Sequence, residues 1–159
     1  RILNGAHTSL IPYALLEGEE TVLDAISNPE LKAHLEGCLS EVLPTLSELY
    51  TEDELKSYMN EVIERFTNPY IKHKCQAIAL NSVSKFKVRC LPSIKAYYEI
   101  YNKPPQHLSV ACDKLIEFYK MGTPCDDNEL IEYIKSHTRE EILSSGRVFG
   151  EDISKYIAG

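Results

Sequence analysis

The chain has 159 residues, of which 43% are hydrophobic and 26% are charged, a composition typical of one folded domain and unlike that of a disordered chain. Its formal net charge of −7 at pH 7 argues against a protein whose whole surface follows a nucleic acid or an anionic membrane. We find no apolar stretch long enough to span a membrane and no secretory signal in residues 1–16. We therefore expect a soluble, cytoplasmic protein.

The cysteines also limit the possible functions. Five are present, an odd number, with no C-x-x-C pair and no Cys/His cluster at the spacing of zinc ligands. We expect reduced thiols that serve mostly as small core residues, and no metal site. The five are Cys38, Cys75, Cys90, Cys112 and Cys125.

Helix-capping residues recur along the chain, and no segment shows the alternation of a β-strand. The sequence therefore predicts an all-α, multi-helix domain. Asn4 can cap a first helix that runs to about Glu17 and ends at Gly18 in the left-handed conformation. Asn28-Pro29 begins a second helix, which Pro44 bends or ends.

The middle of the chain continues the pattern. Residues 51–54 form a capping box that begins a helix ending near Phe66, with Phe66 in the core. Asn68-Pro69 repeats the combination of a capping side chain and a first-turn proline, so we expect another helix there. Its predicted buried stripe is Ile71, Cys75, Ile78, Ala79 and Val83.

The C-terminal part predicts shorter helices separated by clear breaks. Lys103-Pro104-Pro105 interrupts the chain, and Gly122 ends the helix that precedes it. Thr138 begins a second capping box. The predicted helices span residues 92–101, 107–121, about 127–137, a short segment after 138, and 151–157.

The basic residues are unevenly distributed. Seven of them lie between Arg65 and Tyr98, where the sequence contains no Asp or Glu. Such a stretch on an acidic protein is suited to a small anionic molecule, although it is equally consistent with solvated helix faces or with pairing to carboxylates elsewhere. The seven are Arg65, Lys72, Lys74, Lys85, Lys87, Arg89 and Lys95.

Asn4 and His7 are three residues apart, a spacing that places them on one helical face if Asn4 lies in or next to the helix. Both side chains can then hydrogen-bond to one oxygen atom. The simpler interpretation is that Asn4 is a helix cap and His7 a structural residue. Spacing alone leaves both interpretations open.

Three segments together resemble a known family. They are residues 1–8 (RILNGAHT), 65–73 (RFTNPYIKH) and 81–87 (NSVSKFK), and they resemble the C-terminal domain of long-chain mannitol dehydrogenases, particularly the tagaturonate reductase (altronate oxidoreductase) branch. The resemblance covers residues 1 to about 95 and extends further only in helical character. It implies a helical domain like those of mannitol dehydrogenases and 6-phosphogluconate dehydrogenase-like enzymes.

The resemblance also implies an enzyme mechanism. In this metal-free family an N-terminal Rossmann domain binds NAD, and the C-terminal domain supplies a lysine base followed by asparagine and histidine at K-x4-N-x2-H. Asn4 and His7 match the last two positions, where they would hold the developing oxyanion. The lysine would fall two residues before Arg1. We therefore expect an excised fragment of residues 1–159, inactive without the Rossmann domain that is its partner.

The same resemblance suggests substrate-binding residues. Arg65 matches a substrate-contacting arginine, and Lys72 would lie two helical turns further on nearly the same face. His73 and Lys85 are further candidates, for which supporting or surface roles are equally consistent with the sequence. A cationic site suits the carboxylate of tagaturonate.

The predicted function is the interconversion of D-tagaturonate and D-altronate in hexuronate catabolism. Fructuronate reductase and mannitol dehydrogenase are alternatives within the family. An alternative of another class is a non-catalytic helical module whose basic face binds an acidic partner or a nucleic-acid backbone. The prediction includes no nucleic acid and no membrane, and it leaves open NAD against NADP and the oligomeric state.

Overall fold

A computed structural model describes residues 2–70 and 73–159. Over these ranges the chain forms helices and one isolated antiparallel bridge, Thr21 with Lys74, and no β-strand, so the all-α prediction is confirmed. No helix among the described residues is both long and apolar enough to cross a membrane. The α-helices are α1 (Ile2–Leu16), α2 (Val22–Ser27), α3 (Pro29–Val42), α4 (Glu52–Phe66), α5 (Cys75–Ile78), α6 (Ser82–Arg89), α7 (Leu91–Tyr101), α8 (Gln106–Met121), α9 (Asn128–Ser136) and α10 (Arg139–Ser144).

Helix α1 is the centre of the domain. It packs against α2, α3, α4, α5, α6 and α8, and four of its apolar side chains, Ala6, Leu10, Ile11 and Ala14, are at most 2% exposed. A helix that is apolar on most of its circumference is buried on most sides. The core therefore determines where the first turns of α1 lie.

Local capping residues begin and end most helices as the sequence predicts. The Asn28 side-chain oxygen accepts hydrogen bonds from the amides of Glu30 and Leu31, and α3 ends at Val42, where a 3₁₀ turn carries Pro44. The Thr51 side chain accepts from the amide of Glu54 at the start of α4. These contacts satisfy amides that have no partner within the first helical turn.

The later helices follow the same rule. Helix α8 ends before Gly122, the Asp127 side chain caps α9, and Thr138 with Glu141 forms a complete capping box for α10. The predicted helix over 151–157 is wrong. Only a 3₁₀ turn at Ser154–Tyr156 forms there.

Two predictions near the site residues are also wrong. Helix α1 already begins at Ile2, so Asn4 lies inside its first turn and is not the N-cap. The continuous helix expected after Asn68-Pro69 does not form. The Asn68 side chain instead accepts a hydrogen bond from the amide of Tyr70 in a turn, and the chain resumes in short helices α5 and α6 separated by Asn81, whose φ is +53°.

Backbone pairing across the fold explains why that helix is interrupted. The amide of Val22 donates to the carbonyl of His73 at 3.0 Å, and the amide of Cys75 donates to the carbonyl of Glu20 at 2.9 Å. These contacts hold the segment just before α5 against residues 20–22, where Lys74 has an extended conformation that a continuous helix cannot supply. Of the predicted buried stripe, Cys75, Ala79 and Val83 are buried and Ile78 is half-buried, whereas Ile71 lies outside the described residues.

Helix α2 was not expected from the sequence. Thr21 and Asp24 form its capping box, with aspartate where the common pattern has glutamate or glutamine. The helix is only six residues long, too short to show a clear period. Its Val22 and Ala25 side chains are buried.

The cysteine prediction is confirmed as far as burial is concerned. Cys38, Cys75, Cys90 and Cys112 are buried, Cys125 is exposed, and all five are free thiols. Burial raises the pKa of the Cys90 thiol to about 12, so this thiol is protonated and unreactive at neutral pH.

The start of α8 depends on a distant carboxyl group. Its N-cap residue is Pro105, which supplies no capping side chain. Instead Glu41 of α3, which is 6% exposed, accepts hydrogen bonds from the amides of His107 and Leu108 through one carboxyl oxygen. Burial raises the pKa of Glu41 to about 7, so the group is largely uncharged in mildly acidic solution.

We predict that Glu41→Ala lowers the free energy of unfolding by about 1–3 kcal/mol, because the buried amide of Leu108 and the part-buried amide of His107 lose their acceptor. The measurement is urea denaturation at pH 6, below the raised pKa, so that loss of a buried charge does not offset the loss of the hydrogen bonds. Glu36→Ala, an exposed position on the same helix, should change the free energy by less than about 0.5 kcal/mol. Equal effects of the two substitutions would contradict this role for Glu41.

Candidate functional site

A cavity of about 190 Å³ lies beside the first turns of α1. It brings together three of the residues selected from the sequence, His7, Arg65 and His73, which come from three separate segments. The cavity is lined by Leu3, His7, Val22, Arg65, Phe66 and His73. Among the residues that the structure describes, none of those lining the cavity is acidic.

The ring of His7 is held by the end of α4. Its centroid lies 4.5 Å from that of Phe66, with an angle of 38° between the planes. Phe66 is 3% exposed and belongs to the core, as predicted. A ring packed against a buried aromatic has few rotamers available, so His7 is oriented before any ligand arrives.

His73 reaches the cavity through the extended segment that pairs with residues 20–22. Because the His73 carbonyl accepts the Val22 amide, its side chain is placed next to α1. The ring centroids of His7 and His73 are 6.4 Å apart in an edge-on arrangement. The contact joins residues 66 positions apart in the sequence.

Arg65 lies in the last turn of α4 and is exposed. It forms no ion pair with any residue in the described ranges. A second, larger cavity of about 380 Å³ adjoins it, and the two cavities share Leu3 and Arg65. Arg65 therefore stands at the edge of an open region with its guanidinium available.

His7 is neutral at physiological pH. Its pKa is lowered to about 4, chiefly by burial and then by the nearby His73, and a hydrogen bond to the Leu3 backbone only partly compensates. The positive charges of Arg89 and Lys85 lower the pKa of His7 further. A neutral imidazole offers one N–H donor and one acceptor nitrogen.

Asn4 and Lys85 do not line the cavity. Asn4 is exposed, one helical turn before His7, and its carbonyl accepts the Thr8 hydroxyl at 3.0 Å. Lys85 is half-buried on α6, and its ammonium group donates to the carbonyl of Ile78 at 2.7 Å. The charge of Lys85 nevertheless reaches His7 and lowers its pKa.

Lys72 lies outside the described residues. The expectation that it shares a helical face with Arg65 is wrong, because α4 ends at Phe66 and a turn follows. No continuous helix therefore connects the two positions.

Arg89 was not selected from the sequence except as part of the basic stretch. It is half-buried, and its charge affects the pKa values of both His7 and Lys85. One pattern could have indicated it: Lys85 and Arg89 are four residues apart, so they share a face of α6.

The basic stretch as a whole does not form one binding surface. Lys95 pairs with Glu151 of the C-terminal segment at 2.6 Å, and Lys74 forms the isolated bridge with Thr21. The positive groups around His7 are therefore a local feature. In the part of the chain that the structure describes, no three His, Cys, Asp or Glu side chains come together to hold a metal ion.

Comparison with known proteins identifies the family. Residues 1–155 match the model of the mannitol dehydrogenase C-terminal domain. The chain belongs to this family. The resemblance of the three sequence segments is thereby confirmed, and with it membership of a group of polyol and sugar-acid dehydrogenases.

Two curated relatives of this mannitol dehydrogenase C-terminal domain are altronate oxidoreductases. The chain is 37% identical to the altronate oxidoreductase of Bacillus subtilis (strain 168), over 98% of this chain and 34% of that protein. It is 42% identical to the altronate oxidoreductase of Klebsiella pneumoniae (strain 342), over 75% of this chain and 24% of that protein. The chain thus spans about a third of the length of the first of these relatives.

A solved structure supports the fold. A D-sorbitol dehydrogenase in substrate-free form superposes with a TM-score of 0.77 at 24% identity, over 96% of this chain and 33% of that one. The same helical arrangement thus forms about a third of that longer chain.

We predict that His7 makes this chain less stable as pH falls. Because the folded pKa of about 4 is below the unfolded value of about 6.5, the unfolded state binds more protons between these values. The stability is fully present above about pH 6.5 and is lost as pH falls toward 4.

The measurement compares wild type with His7→Asn by urea denaturation. Between pH 7.5 and pH 5, wild type should lose about 2 kcal/mol relative to the variant. Glu41 has a raised pKa and therefore favours folding at lower pH. Its effect on stability is the same in both proteins, so it cancels when the free energies of unfolding are subtracted. Parallel pH profiles for the two proteins would show that His7 is not held neutral.

Proposed function

We propose that this chain is the substrate-binding and catalytic domain of an NAD-dependent altronate oxidoreductase (tagaturonate reductase), which interconverts D-tagaturonate and D-altronate in the cytoplasm during hexuronate catabolism. The observation that carries the proposal is the cavity that joins His7, Arg65 and His73 without an acidic residue in its lining. The names of the relatives agree with it.

The residues of this chain do not fit a dinucleotide cofactor. The sequence contains no G-x-G-x-x-G segment, and the described residues form no strand that could begin a βαβ unit. We propose that a Rossmann domain elsewhere in the longer protein holds the NAD, in keeping with the share of the relatives that this chain covers. The nicotinamide would supply the hydride acceptor for the alcohol.

The proposed chemical role of α1 is to stabilise negative charge on the reacting oxygen. Asn4 and His7 are one helical turn apart on α1, so an amide N–H and an imidazole N–H can point to the same region. Donors fixed in advance stabilise a developing alkoxide without reorganising. In the family pattern K-x4-N-x2-H, the lysine that exchanges the hydroxyl proton would lie two residues before Arg1.

The neutrality of His7 suits this role. An imidazole with a pKa of about 4 is in its neutral form at neutral pH. It has no imidazolium proton to transfer to the alkoxide, so it acts as a hydrogen-bond donor through its N–H and not as the acid. The neutral ring has a single N–H, which can serve either the Leu3 carbonyl or the reacting oxygen, so this role requires the bond to Leu3 to be exchanged for one to the substrate. Proton exchange then falls to the lysine.

The positive groups favour a sugar acid over a neutral polyol. Arg65 and His73 line the cavity and would contact the substrate, with Lys85 and Lys72 as further substrate-binding candidates. A neutral polyol needs only hydrogen-bonding groups, whereas cations that form no ion pair with the described residues are stabilised by an anion. This observation favours altronate over mannitol as the substrate.

We predict that the 159-residue chain alone shows no turnover, because the proposed cofactor domain and the proposed lysine are not among its residues. The measurement is the absorbance of NADH at 340 nm with D-tagaturonate, and the longer protein serves as the positive control. Sustained oxidation of NADH by the isolated chain would contradict the proposal that a separate domain binds the cofactor.

In the longer protein, His7→Ala should lower kcat by about 10² or more if the imidazole contacts the reacting oxygen. Arg65→Ala should mainly raise KM, because it removes a contact present in both ground and transition states. Lys56→Ala removes an exposed cation of the same helix, paired with Glu52, and should leave both constants unchanged. An unaltered kcat in His7→Ala would remove His7 from the mechanism.

A further inference from the structure

Arg89 lies against the turn of α1 that carries Asn4 and His7. A Cβ atom on Gly5 would be 3.3 Å from the carbonyl oxygen of Arg89, and the Cys90 thiol donates to the Gly5 carbonyl at 3.7 Å. The missing side chain at Gly5 therefore lets the end of α6 approach α1 closely. This contact determines where the Arg89 side chain begins.

Arg89 is half-buried and unpaired. Among the residues the structure describes, its guanidinium has neither a hydrogen bond nor an ion pair, although it carries five N–H donors. Arg139 offers the contrast, since it donates to Asp113 at 2.7 Å and to the Ala158 carbonyl at 2.7 Å. A guanidinium that is partly removed from water and has no acceptor in the protein is suited to binding an anion, which would accept its hydrogen bonds.

A second cation faces the same way. Lys85 precedes Arg89 by four residues on α6 and is also half-buried, and like charges at this spacing repel. The ammonium group of Lys85 uses one donor on the Ile78 carbonyl and retains two. A bound carboxylate would remove the repulsion and supply acceptors for both side chains.

The pair is close to the proposed reaction centre. Arg89 and Lys85 are both near enough for their charges to lower the pKa of His7, whereas Lys87, between them in sequence, is exposed and has its ammonium group near Gly150. The two cations that share a face of α6 therefore act electrostatically on the imidazole, whereas Lys87 is directed to Gly150.

We propose that Arg89, assisted by Lys85, binds the carboxylate of the sugar acid and so determines the specificity for acids over neutral polyols. This inference rests on the proposed function and deepens it by assigning the acid end of the substrate to α6. Arg65, at the open edge of the cavity, then adds positive charge beside the substrate and contacts its hydroxyl groups.

The test uses the longer protein with Arg89→Gln, which keeps a polar side chain with N–H donors but removes its charge. Calorimetry gives the dissociation constants of D-altronate and of altritol, the matching neutral hexitol. We expect altronate to bind about 10- to 100-fold more weakly and altritol to change less than about twofold. Lys87→Gln removes a charge from the same helix and should alter neither constant.

Several outcomes would overturn the inference. Unchanged affinity for altronate, equal losses for altronate and altritol, or the same loss in Lys87→Gln would each contradict it. If Arg89→Gln does not fold, as judged by circular dichroism, Arg89→Lys replaces it. A several-fold loss confined to altronate then supports the inference, because lysine cannot make the paired bonds of a guanidinium, and no loss overturns it.

The proposed function is tested separately by whether the wild-type protein oxidises altronate with NAD. If it does not, but Arg89→Gln still loses affinity for altronate selectively, the proposed function fails while Arg89 remains the carboxylate-binding residue. If oxidation occurs and the affinity is unaffected, the proposed function stands and the role of Arg89 fails.

Discussion

The packing of α1 in the centre of the domain is the constraint on which the candidate site depends. Leu10, Ile11 and Ala14 are no more than 1% exposed, and six other helices contact α1. Protein interiors are packed as densely as organic crystals, so such a helix cannot turn or slide without opening cavities. His7, one turn before these residues, is therefore held in a fixed relation to α4, α6 and the segment 73–75. The tight packing of the core therefore fixes the position of His7 in the candidate site.

The position of His7 also determines which charged groups surround it. The protein is acidic overall, with a formal net charge of −7, yet the groups that affect His7 are His73, Arg89 and Lys85, and none is a carboxylate. Burial and these neighbours keep the imidazole neutral. A small positive region on an acidic molecule attracts anionic ligands to one place. The arrangement can thus hold an acid at one side and present neutral donors to its reacting oxygen.

Features that depend on neighbouring residues were predictable from the sequence. The caps at Asn28, Thr51 and Thr138, and the breaks at Pro44 and Gly122, lie where the structure has helix ends. Each depends on contacts within four residues. The family, too, was identified from short segments, because three of them occur in the expected order.

Features that depend on distant contacts were not predictable in the same way. Asn68-Pro69 has the same local pattern as Asn28-Pro29, yet only the latter begins a helix, because residues 73–75 pair with residues 20–22. That pairing also brings His73 to His7, which no spacing in the sequence indicates. Arg89 shares a helical face with Lys85, but its lack of a protein partner is visible only once the rest of the chain is in place.

The most direct test of the account is a crystal structure of the longer protein with NAD and D-altronate. We expect the hydroxyl oxygen of the reacting carbon within hydrogen-bonding distance of Asn4 and His7, and the carboxylate against Arg89 and Lys85 of α6. A sugar acid bound in any other orientation, with its carboxylate away from α6 or its reacting carbon away from α1, would contradict the account.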